Sequence, residues 1–300
     1  MSEAPTAVFA SLEAVLQERH RSVEAALLEH APRGETPEVL DAVNASLFAP
    51  SKRLRPILAL LVADVLGGDA RSVLPAACAI EMVHTASLIL DDLPSMDDAR
   101  ERRGRPACHV AFGEANAILA AFTLLSRSFE VLAAGWPGGP EALARCEVAV
   151  DLARAVGPSG MIAGQARDLH MTDRPTDLAT LEFIHSRKTG ALFIAAAALG
   201  ARAAGAAPWA QRAVTTYAKN LGLAFQIVDD LIDATGAAEE AGKDVGQDQK
   251  KTTFVSFAGV QGARQLASEL IASSQEALHA FGPAAQPLRD LARYVIARRR

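Results

Sequence analysis

An apolar helical stretch that runs directly into a dense cluster of charges constrains the fold of this chain most strongly. Residues 79–90 are mostly apolar, and residues 91–103 then read Asp-Asp-Leu-Pro-Ser-Met-Asp-Asp-Ala-Arg-Glu-Arg-Arg. The apolar run predicts a buried helix, so that the carboxylates at its end lie against apolar walls. Unpaired charges in such a place are costly, and the segment therefore predicts a cationic partner. A solvated run of charges at a helix end is the alternative interpretation.

A second aspartate-rich segment ends another long apolar helical pattern. Residues 225–233 read Phe-Gln-Ile-Val-Asp-Asp-Leu-Ile-Asp. Asp229 and Asp233 are four residues apart, so they project from one helix face and can share a cation. Further charged residues follow in the next segment: Lys243, Asp248, Lys250 and Lys251. Two such helix ends predict facing helices around a Mg²⁺–diphosphate cluster, because Mg²⁺ commonly bridges one or two carboxylates to substrate phosphates.

The composition favours an all-α fold. Alanine is abundant, aromatic residues make up only 5% of the chain, and no stretch shows sustained alternation of β-branched residues. The length of 300 residues suits one large domain or two ordinary ones. The formal net charge of −5 leaves no basic footprint for nucleic acid, so we expect none to bind.

The cysteines and the N-terminal segment predict the cellular compartment. Cys78, Cys108 and Cys146 form no CxxC pair and are odd in number, which favours reduced thiols. The N-terminus carries acidic residues, so we expect no signal peptide. The longest apolar runs, such as residues 191–200, stop short of the roughly 18 residues that suggest a membrane span. We therefore expect a cytoplasmic protein without a membrane span.

A basic segment precedes the apolar residues 57–66. Lys52, Arg53 and Arg55 stand just before Pro56, a residue that suits the first position of a helix. Cations at a helix N-terminus interact unfavourably with the helix dipole. Their presence is explained if they and the free N–H groups bind an anion together. A solvated basic turn is the alternative.

His84 and the spacing of the first aspartates add to the predicted site. His84 lies seven residues before Asp91, about two helical turns, so both can face one cavity. Taken alone, a histidine in an apolar helix is more often a satisfied core residue. Pro94 cannot continue a regular helix, and the spacing therefore predicts a local bulge that returns Asp97 toward Asp91.

These segments together resemble the two aspartate-rich motifs of the trans-isoprenyl diphosphate synthases, the head-to-tail prenyltransferases. The first motif reads Asp91-Asp92-x₄-Asp97, with Arg102-Arg103-Gly104 after it, and the second reads Gln226-x-x-Asp229-Asp230-x-x-Asp233. The resemblance runs from about residue 51 to the C-terminus, with at least five motifs in order. It implies a single domain, residues 1–300, with the all-α isoprenoid synthase fold of antiparallel helices around a central apolar cavity. It also implies a homodimer.

The resemblance implies a role for each residue that matches a family motif. Three Mg²⁺ ions would be held by the aspartates Asp91, Asp92, Asp97, Asp229, Asp230 and Asp233. Isopentenyl diphosphate would be bound by Lys52, Arg55, His84 and Arg103. The allylic diphosphate would be bound by Arg102, Lys188, Lys243 and Gln165. The catalytic residues would be Lys188, Thr189 and Gln226. Of these, Lys188 and Thr189 would present oxygen dipoles to the developing carbocation.

Three departures from the family pattern are visible. Pro50-Ser51 replaces the paired glycines that precede Lys52 in relatives, and Arg53 is expected to be peripheral to the site. Ala121-Phe122 stands where Gly-Asp is usual. Only two residues separate Asp248 from Lys251, so which of the nearby lysines reaches the site stays open.

The implied reaction condenses isopentenyl diphosphate with an allylic diphosphate by ionisation, condensation and elimination. Ala86 and Ser87, five and four residues before Asp91, are small and form the predicted chain-length pocket. They predict room beyond a C15 chain and geranylgeranyl diphosphate as product, unless Phe122 or another residue on a neighbouring helix caps the tunnel. A farnesyl diphosphate synthase is the alternative.

Other enzyme classes and a non-catalytic role fit these residues less well. A class I terpene cyclase and a head-to-head synthase share the Mg²⁺–diphosphate chemistry, but neither would need Lys52, Arg55, His84 and Arg103. A non-catalytic partner subunit of another prenyl synthase would not need complete acidic motifs.

Overall fold

The structure is a computed structural model that describes residues 5–134, 141–171, 174, 176–235 and 252–298, with side chains from residue 12 onward. Within these ranges the chain is helical nearly throughout, as predicted. The N-terminal helices are α1 Pro5–His30, α2 Pro37–Leu47, α3 Leu54–Val65, α4 Leu74–Asp91, α5 Cys108–Phe112 and α6 Glu114–Ala134. The remaining helices are α7 Ala142–Val156, α8 Met161–Met171, α9 Leu178–Lys188, α10 Gly190–Ala203, α11 Pro208–Ala234, α12 Phe254–Ala277 and α13 Gln286–Ala297.

Short elements complete the described chain. The 3₁₀ segments Ala70–Val73 and His279–Ala285 lead into α4 and α13. The strands β1 Glu101–Arg102 and β2 Arg105–Pro106 pair antiparallel as a hairpin between α4 and α5.

Helices α3, α4 and α10 form the centre of the fold. All three are apolar on nearly every face, which is typical of helices that are buried all round. Helix α10 packs against both α3 and α4 on one side and against α11 on another. A Cβ at Gly200 would lie 2.3 Å from the Ala59 carbonyl oxygen, so glycine is required where α10 crosses α3. The central helices thereby bring the C-terminal ends of α4 and α11 to a common region.

Among the described residues, two segments are long and apolar enough, by length and composition, to cross a membrane. The expectation that the apolar segments stop short of that length was therefore wrong. The first, Ala70–Asp91, is mostly buried in the core, and that burial accounts for its composition. The second is α6, which is only partly covered. Its exposed apolar side chains therefore need a separate explanation.

The start of α3 differs from the prediction. The helix begins at Leu54 rather than at Pro56, and Pro56 occupies its third position. Proline is tolerated there, because the first-turn N–H groups have no partner within the helix. The residue before the helix, Arg53, adopts the left-handed conformation with φ 47° and ψ 36°.

Candidate active site

The first aspartate motif folds back on itself as predicted. The backbone N–H of Asp97 donates to the carbonyl oxygen of Asp91 over 2.9 Å, and that of Met96 donates to Leu93 over 2.9 Å. Helix α4 ends at Asp91, and Pro94 cannot extend it. The bulge is confirmed, and it brings the backbone of Asp97 next to that of Asp91.

The Asp91 carboxyl is in an environment that disfavours its charge. Burial raises its pKa to about 6, and the neighbouring charge of Asp97 adds to the increase, whereas the Lys188 ammonium opposes it. Lys188 lies at the end of α9, so the first motif and the Lys-Thr-Gly segment share one region. A buried carboxyl beside a second one is a place where a divalent cation would restore the ionised form.

The Asp92 side chain contacts an arginine of the same segment. Its side chain is buried, and it accepts hydrogen bonds from Arg102 Nε at 3.0 and 3.2 Å, with a further contact to Arg102 Nη2. Charge-assisted contacts of this kind fix a guanidinium in one orientation. In this structure Asp92 therefore holds Arg102, and its role as a metal ligand stays a prediction.

The β1–β2 hairpin places Arg102 and Arg103 in a strained turn. Its central residues, Arg103 and Gly104, have φ values of 55° and 71°. Positive φ at both positions is the geometry of a two-residue type I′ hairpin. A left-handed arginine costs roughly 1–2 kcal/mol, so the surrounding fold has to maintain this conformation. Burial lowers the Arg103 pKa, and the charge of Glu81 opposes that effect.

Arg55 is a partly buried cation whose contacts leave an anion to be supplied. Its Nη1 lies 3.2 Å from His84 Nε2, and its guanidinium sits 4.7 Å from the centroid of the Phe193 ring. No described carboxylate forms a salt bridge with Arg55, and its buried Nε has no hydrogen-bond partner. Burial lowers the Arg55 pKa to about 10. A diphosphate oxygen would satisfy both the charge and the open donor.

The contact with Arg55 determines the protonation of His84. A guanidinium only donates, so His84 Nε2 must accept and the ring proton must reside on Nδ1. The His84 pKa is well below its usual value because the ring is buried and lies among the arginines Arg55, Arg103, Arg102 and Arg53. His84 is therefore a neutral ring that orients Arg55.

Lys188 is held by a close contact between α8 and α9. Its Nζ donates to Asp168 Oδ2 over 2.8 Å. A Cβ at Gly164 would lie 2.2 Å from the backbone nitrogen of Lys188, so only glycine permits this approach. On the same helix, Gln165 Nε2 lies 3.8 Å from Met96 Sδ, and the buried Gln165 Oε1 has no hydrogen-bond partner. Helix α8 thus connects Lys188 with the first aspartate motif.

A chain of hydrogen bonds joins the Lys-Thr-Gly segment to the second aspartate motif. Thr189 Oγ1 donates to Gln226 Oε1 at 3.1 Å, and Gln226 Nε2 donates to Asp230 Oδ1 at 3.1 Å. The other Asp230 oxygen accepts the backbone N–H of Phe254 at 2.9 Å. Asp230, predicted as a metal ligand, is 4% exposed and instead ties α11 to the start of α12.

The remaining aspartates of the second motif differ in their surroundings. Asp229 pairs with Arg298 Nη1 at 3.0 Å, while the Arg298 guanidinium stacks 3.7 Å from the centroid of the Phe225 ring. Asp233 is exposed at the end of α11. The predicted diphosphate ligand Lys243, together with Asp248, Lys250 and Lys251, lies outside the described residues. Among the described residues, no three histidine, cysteine or acidic side chains already form a metal cluster.

The predicted chain-length pocket lies on α4. Ala86 is 5% exposed, and Ser87 Oγ donates to the His84 carbonyl at 2.8 Å. Phe122 was one candidate to cap the tunnel, but it is 64% exposed on α6. Phe122 therefore does not close the interior of its own chain.

Two contributors were missed in the sequence, and a third residue, Arg53, has a structural role that the sequence did not predict. Phe193 faces Arg55, and nothing in its apolar surroundings distinguished it. Glu81 is the acidic residue inside the apolar part of α4, which is a signal that could have found it. Arg53, expected to be peripheral, is 2% exposed and hydrogen-bonds Glu24, Glu81 and the Leu47 carbonyl.

Comparison with known proteins identifies the family of this chain. The family model described as polyprenyl synthetase matches residues 37–281. The chain belongs to the polyprenyl synthetase family. It is similar to a geranylgeranyl diphosphate synthase of Cyanophora paradoxa, with 42% identity over 286 residues that cover 94% of this chain and 95% of that protein.

Solved structures of polyprenyl synthetases share the fold. The chain superposes on an apo FPP/GFPP synthase from Zymomonas mobilis with a TM-score of 0.85 and 34% identity, covering 96% of this chain and 99% of that one. A geranyltransferase from Legionella pneumophila gives a TM-score of 0.86 at 30% identity, covering 96% and 97%. The predicted all-α isoprenoid synthase fold is confirmed.

Proposed function

We propose that this polyprenyl synthetase condenses isopentenyl diphosphate with an allylic diphosphate in a head-to-tail reaction and releases geranylgeranyl diphosphate. The observation that carries the proposal is Arg55, a partly buried guanidinium without a salt bridge to a described carboxylate, backed by a neutral His84. A terpene cyclase or a head-to-head synthase would have no use for such an anion site beside the aspartates. Lys52, exposed in the loop before α3, would add a second cation for the same diphosphate.

The allylic diphosphate would lie on the other side of the site. Arg102 is fixed by Asp92 and Lys188 is fixed by Asp168, so both cations have settled positions before substrate arrives. Preorganised charges of this kind stabilise a departing diphosphate without reorganising during the reaction. The Thr189 hydroxyl, held by Gln226, lies next to Lys188 and presents its oxygen to the allylic cation.

The donor set suits Mg²⁺ on both aspartate motifs. Asp91 and Asp97 on the first motif, and Asp229 with Asp233 on the second, are the carboxylates that would hold it, while Asp92 would hold Arg102 and Asp230 would hold the start of α12. Burial raises the pKa of Asp91, and a bound cation would offset that cost. Bound Mg²⁺ would neutralise the diphosphate leaving group as the allylic C–O bond breaks.

The nitrogen bases His84 and Lys188 are already engaged in hydrogen bonds. His84 Nε2 already accepts from Arg55, and Lys188 donates to Asp168. The released diphosphate is therefore the proposed base. Exclusion of water protects the cation until that step, and the apolar faces of α4 and α10 would line the required tunnel.

The product assignment rests on the small side chains of α4. Ala86 and Ser87 leave no bulk one turn before Asp91, and the exposed Phe122 does not replace it from within the chain. The relative from Cyanophora paradoxa is named for the same C20 product.

The test is product analysis with purified protein, Mg²⁺, labelled isopentenyl diphosphate, and dimethylallyl, geranyl or farnesyl diphosphate in turn. We expect a dominant C20 product and no turnover after chelation of Mg²⁺. A stop at C15 would show that another side chain caps the tunnel and that the protein is a farnesyl diphosphate synthase. Folded protein that condenses no starter would overturn the enzyme assignment and favour a partner subunit.

We also propose a homodimer that uses the exposed face of α6. Leu119 is 51% exposed and Phe122 64% exposed, and Ile118 lies beside them at helical spacing. A partner surface would bury this apolar stripe. Light scattering should give twice the chain mass, and the double variant Leu119→Arg/Phe122→Arg should be monomeric. Phe257→Arg, at a similarly exposed position on α12, should leave the dimer intact, and an unchanged mass for the double variant would refute the α6 interface.

The proposed location is the cytoplasm. Cys78, Cys108 and Cys146 are all free, and burial raises the pKa of the Cys78 thiol, so it stays protonated. Cell fractionation of tagged protein would test this location, and recovery with the membranes would contradict it.

A further inference from the structure

The loop that carries the proposed isopentenyl diphosphate ligands has an unusual anchor. Arg53 stands between Lys52 and Arg55, and its backbone is left-handed with φ 47°. Left-handed backbone is disfavoured for a residue with a side chain, so contacts elsewhere must maintain it. The family usually has paired glycines just before this loop, where this chain has Pro50 and Ser51.

The Arg53 side chain supplies those contacts. Its Nε donates to Glu24 Oε1 at 2.6 Å, its Nη1 to Glu81 Oε1 at 2.6 Å, and its Nη2 to the Leu47 carbonyl at 2.6 Å. The three acceptors belong to α1, α4 and the end of α2. The side chain is fully enclosed, so Arg53 itself cannot touch a substrate.

Helix α1 supports the same loop through a second contact. His20 Nε2 lies 2.9 Å from the Ser51 carbonyl, and it must donate there because a carbonyl only accepts. Glu24, one turn further along α1, is the partner of Arg53. The backbone on either side of Lys52 is thus held from α1.

We propose that Arg53, through Glu24 and Glu81, is a positioning residue that sets the affinity for isopentenyl diphosphate. The Arg53 guanidinium, held by its three acceptors, fixes the conformation of the loop. Lys52 and Arg55 in the same segment then face the diphosphate. This inference rests on the proposed function. Because no contact of Arg53 reaches the aspartate motifs, the allylic substrate should be unaffected.

The test measures steady-state kinetics for both substrates in matched variants. Glu24→Ala removes the acceptor that α1 supplies. The Glu24 side chain is 32% exposed, so water can take the place of its carboxylate. Asp64→Ala is the control, because Asp64 is 31% exposed and pairs with Arg19 at 3.0 Å, also joining α1 to α3. The Asp64 end of α3 lies away from the loop. Glu24→Gln, which keeps an oxygen acceptor, serves as the conservative variant.

We expect Glu24→Ala to raise the KM for isopentenyl diphosphate about fivefold, with kcat and the allylic KM within about twofold of wild type. Glu24→Gln should restore most of the loss. Arg53→Lys keeps the charge but cannot reach three acceptors, and we expect a rise of about tenfold or more. Asp64→Ala should leave the KM for isopentenyl diphosphate unchanged.

Several outcomes would overturn the inference. One is folded Glu24→Ala with an unchanged KM for isopentenyl diphosphate, and another is an equal rise in Asp64→Ala. Equal losses for both substrates would show a merely structural role. If Arg53→Lys does not fold, the comparison of Glu24→Ala with Asp64→Ala decides alone. Wild-type protein that turns over no substrate would instead refute the proposed function.

Discussion

Replacement of Gly164 by alanine should separate Lys188 from its partners. The new Cβ would lie 2.2 Å from the Lys188 backbone nitrogen and 2.8 Å from its Cα, where ordinary contact begins at 3.4 Å. Backbone atoms cannot rotate away as a side chain can, so α8 and α9 must move apart by about 1 Å. Asp168 lies on α8, and its 2.8 Å hydrogen bond to Lys188 Nζ would then be stretched beyond hydrogen-bonding range.

The expected cost of Gly164→Ala appears in both stability and rate. Overpacking of this kind costs about 1–3 kcal/mol of unfolding free energy. A displacement of about 1 Å at a positioned catalytic group can cost roughly 100-fold in rate, so we expect kcat for product formation to fall about 10- to 100-fold. Thermal unfolding and radiometric product assays would measure the two effects.

Ala166→Gly provides a control for stability alone. Ala166 is exposed on the same helix, and glycine there costs about 1 kcal/mol of helix propensity without touching Lys188. It should therefore lower the unfolding temperature while kcat stays near wild type. Gly164→Ala with kcat within about threefold of wild type would refute the claim that this close approach positions Lys188.

The remaining predictions concern the acids and the tunnel. Asp92→Asn should release Arg102 and lower kcat/KM for the allylic diphosphate about tenfold, with the Mg²⁺ requirement unchanged. Asp91→Asn should raise the Mg²⁺ concentration that activity requires. An equal rise in both variants would make Asp92 a metal ligand. The Asp91 pKa is about 6, and Mg²⁺ binds the ionised carboxylate. The Mg²⁺ concentration for half-maximal activity should therefore rise as the pH falls from about 7 to about 5. A Mg²⁺ requirement that does not change with pH would contradict this. Ala86→Phe should shift the main product from C20 toward C15. Chromatography of the dephosphorylated products would measure the shift. An unchanged C20 product would show that the growing chain does not pass Ala86.

The local features of the first aspartate motif were predictable from sequence. Pro94 breaks α4, and the spacing from Asp91 to Asp97 is long enough to return the chain, which the structure confirms. The helices themselves follow from apolar periodicity, although α3 starts earlier than Pro56 suggested. Such features depend on neighbours in the chain, and sequence contains those neighbours.

The roles within each acidic pair could not be predicted in this way. Asp91 and Asp92 are adjacent and chemically identical, yet one lies beside Asp97 and the other holds Arg102. In the second motif Asp230 turns toward the N-terminus of α12. The distinction depends on which face of each helix end meets another element.

The sequence alone determined the all-α class, the two acidic helix ends and the family, because periodicity and motif spacing are properties of the chain. Only the tertiary structure decided what each charge contacts. The Arg53 side chain is enclosed and hydrogen-bonded to Glu24 on α1 and Glu81 on α4. Among the described residues Arg55 forms no salt bridge with a carboxylate, and Gly164 lies against the backbone of Lys188. The reason is physical: the energy of a buried charge depends on partners that are distant in sequence and adjacent only after folding.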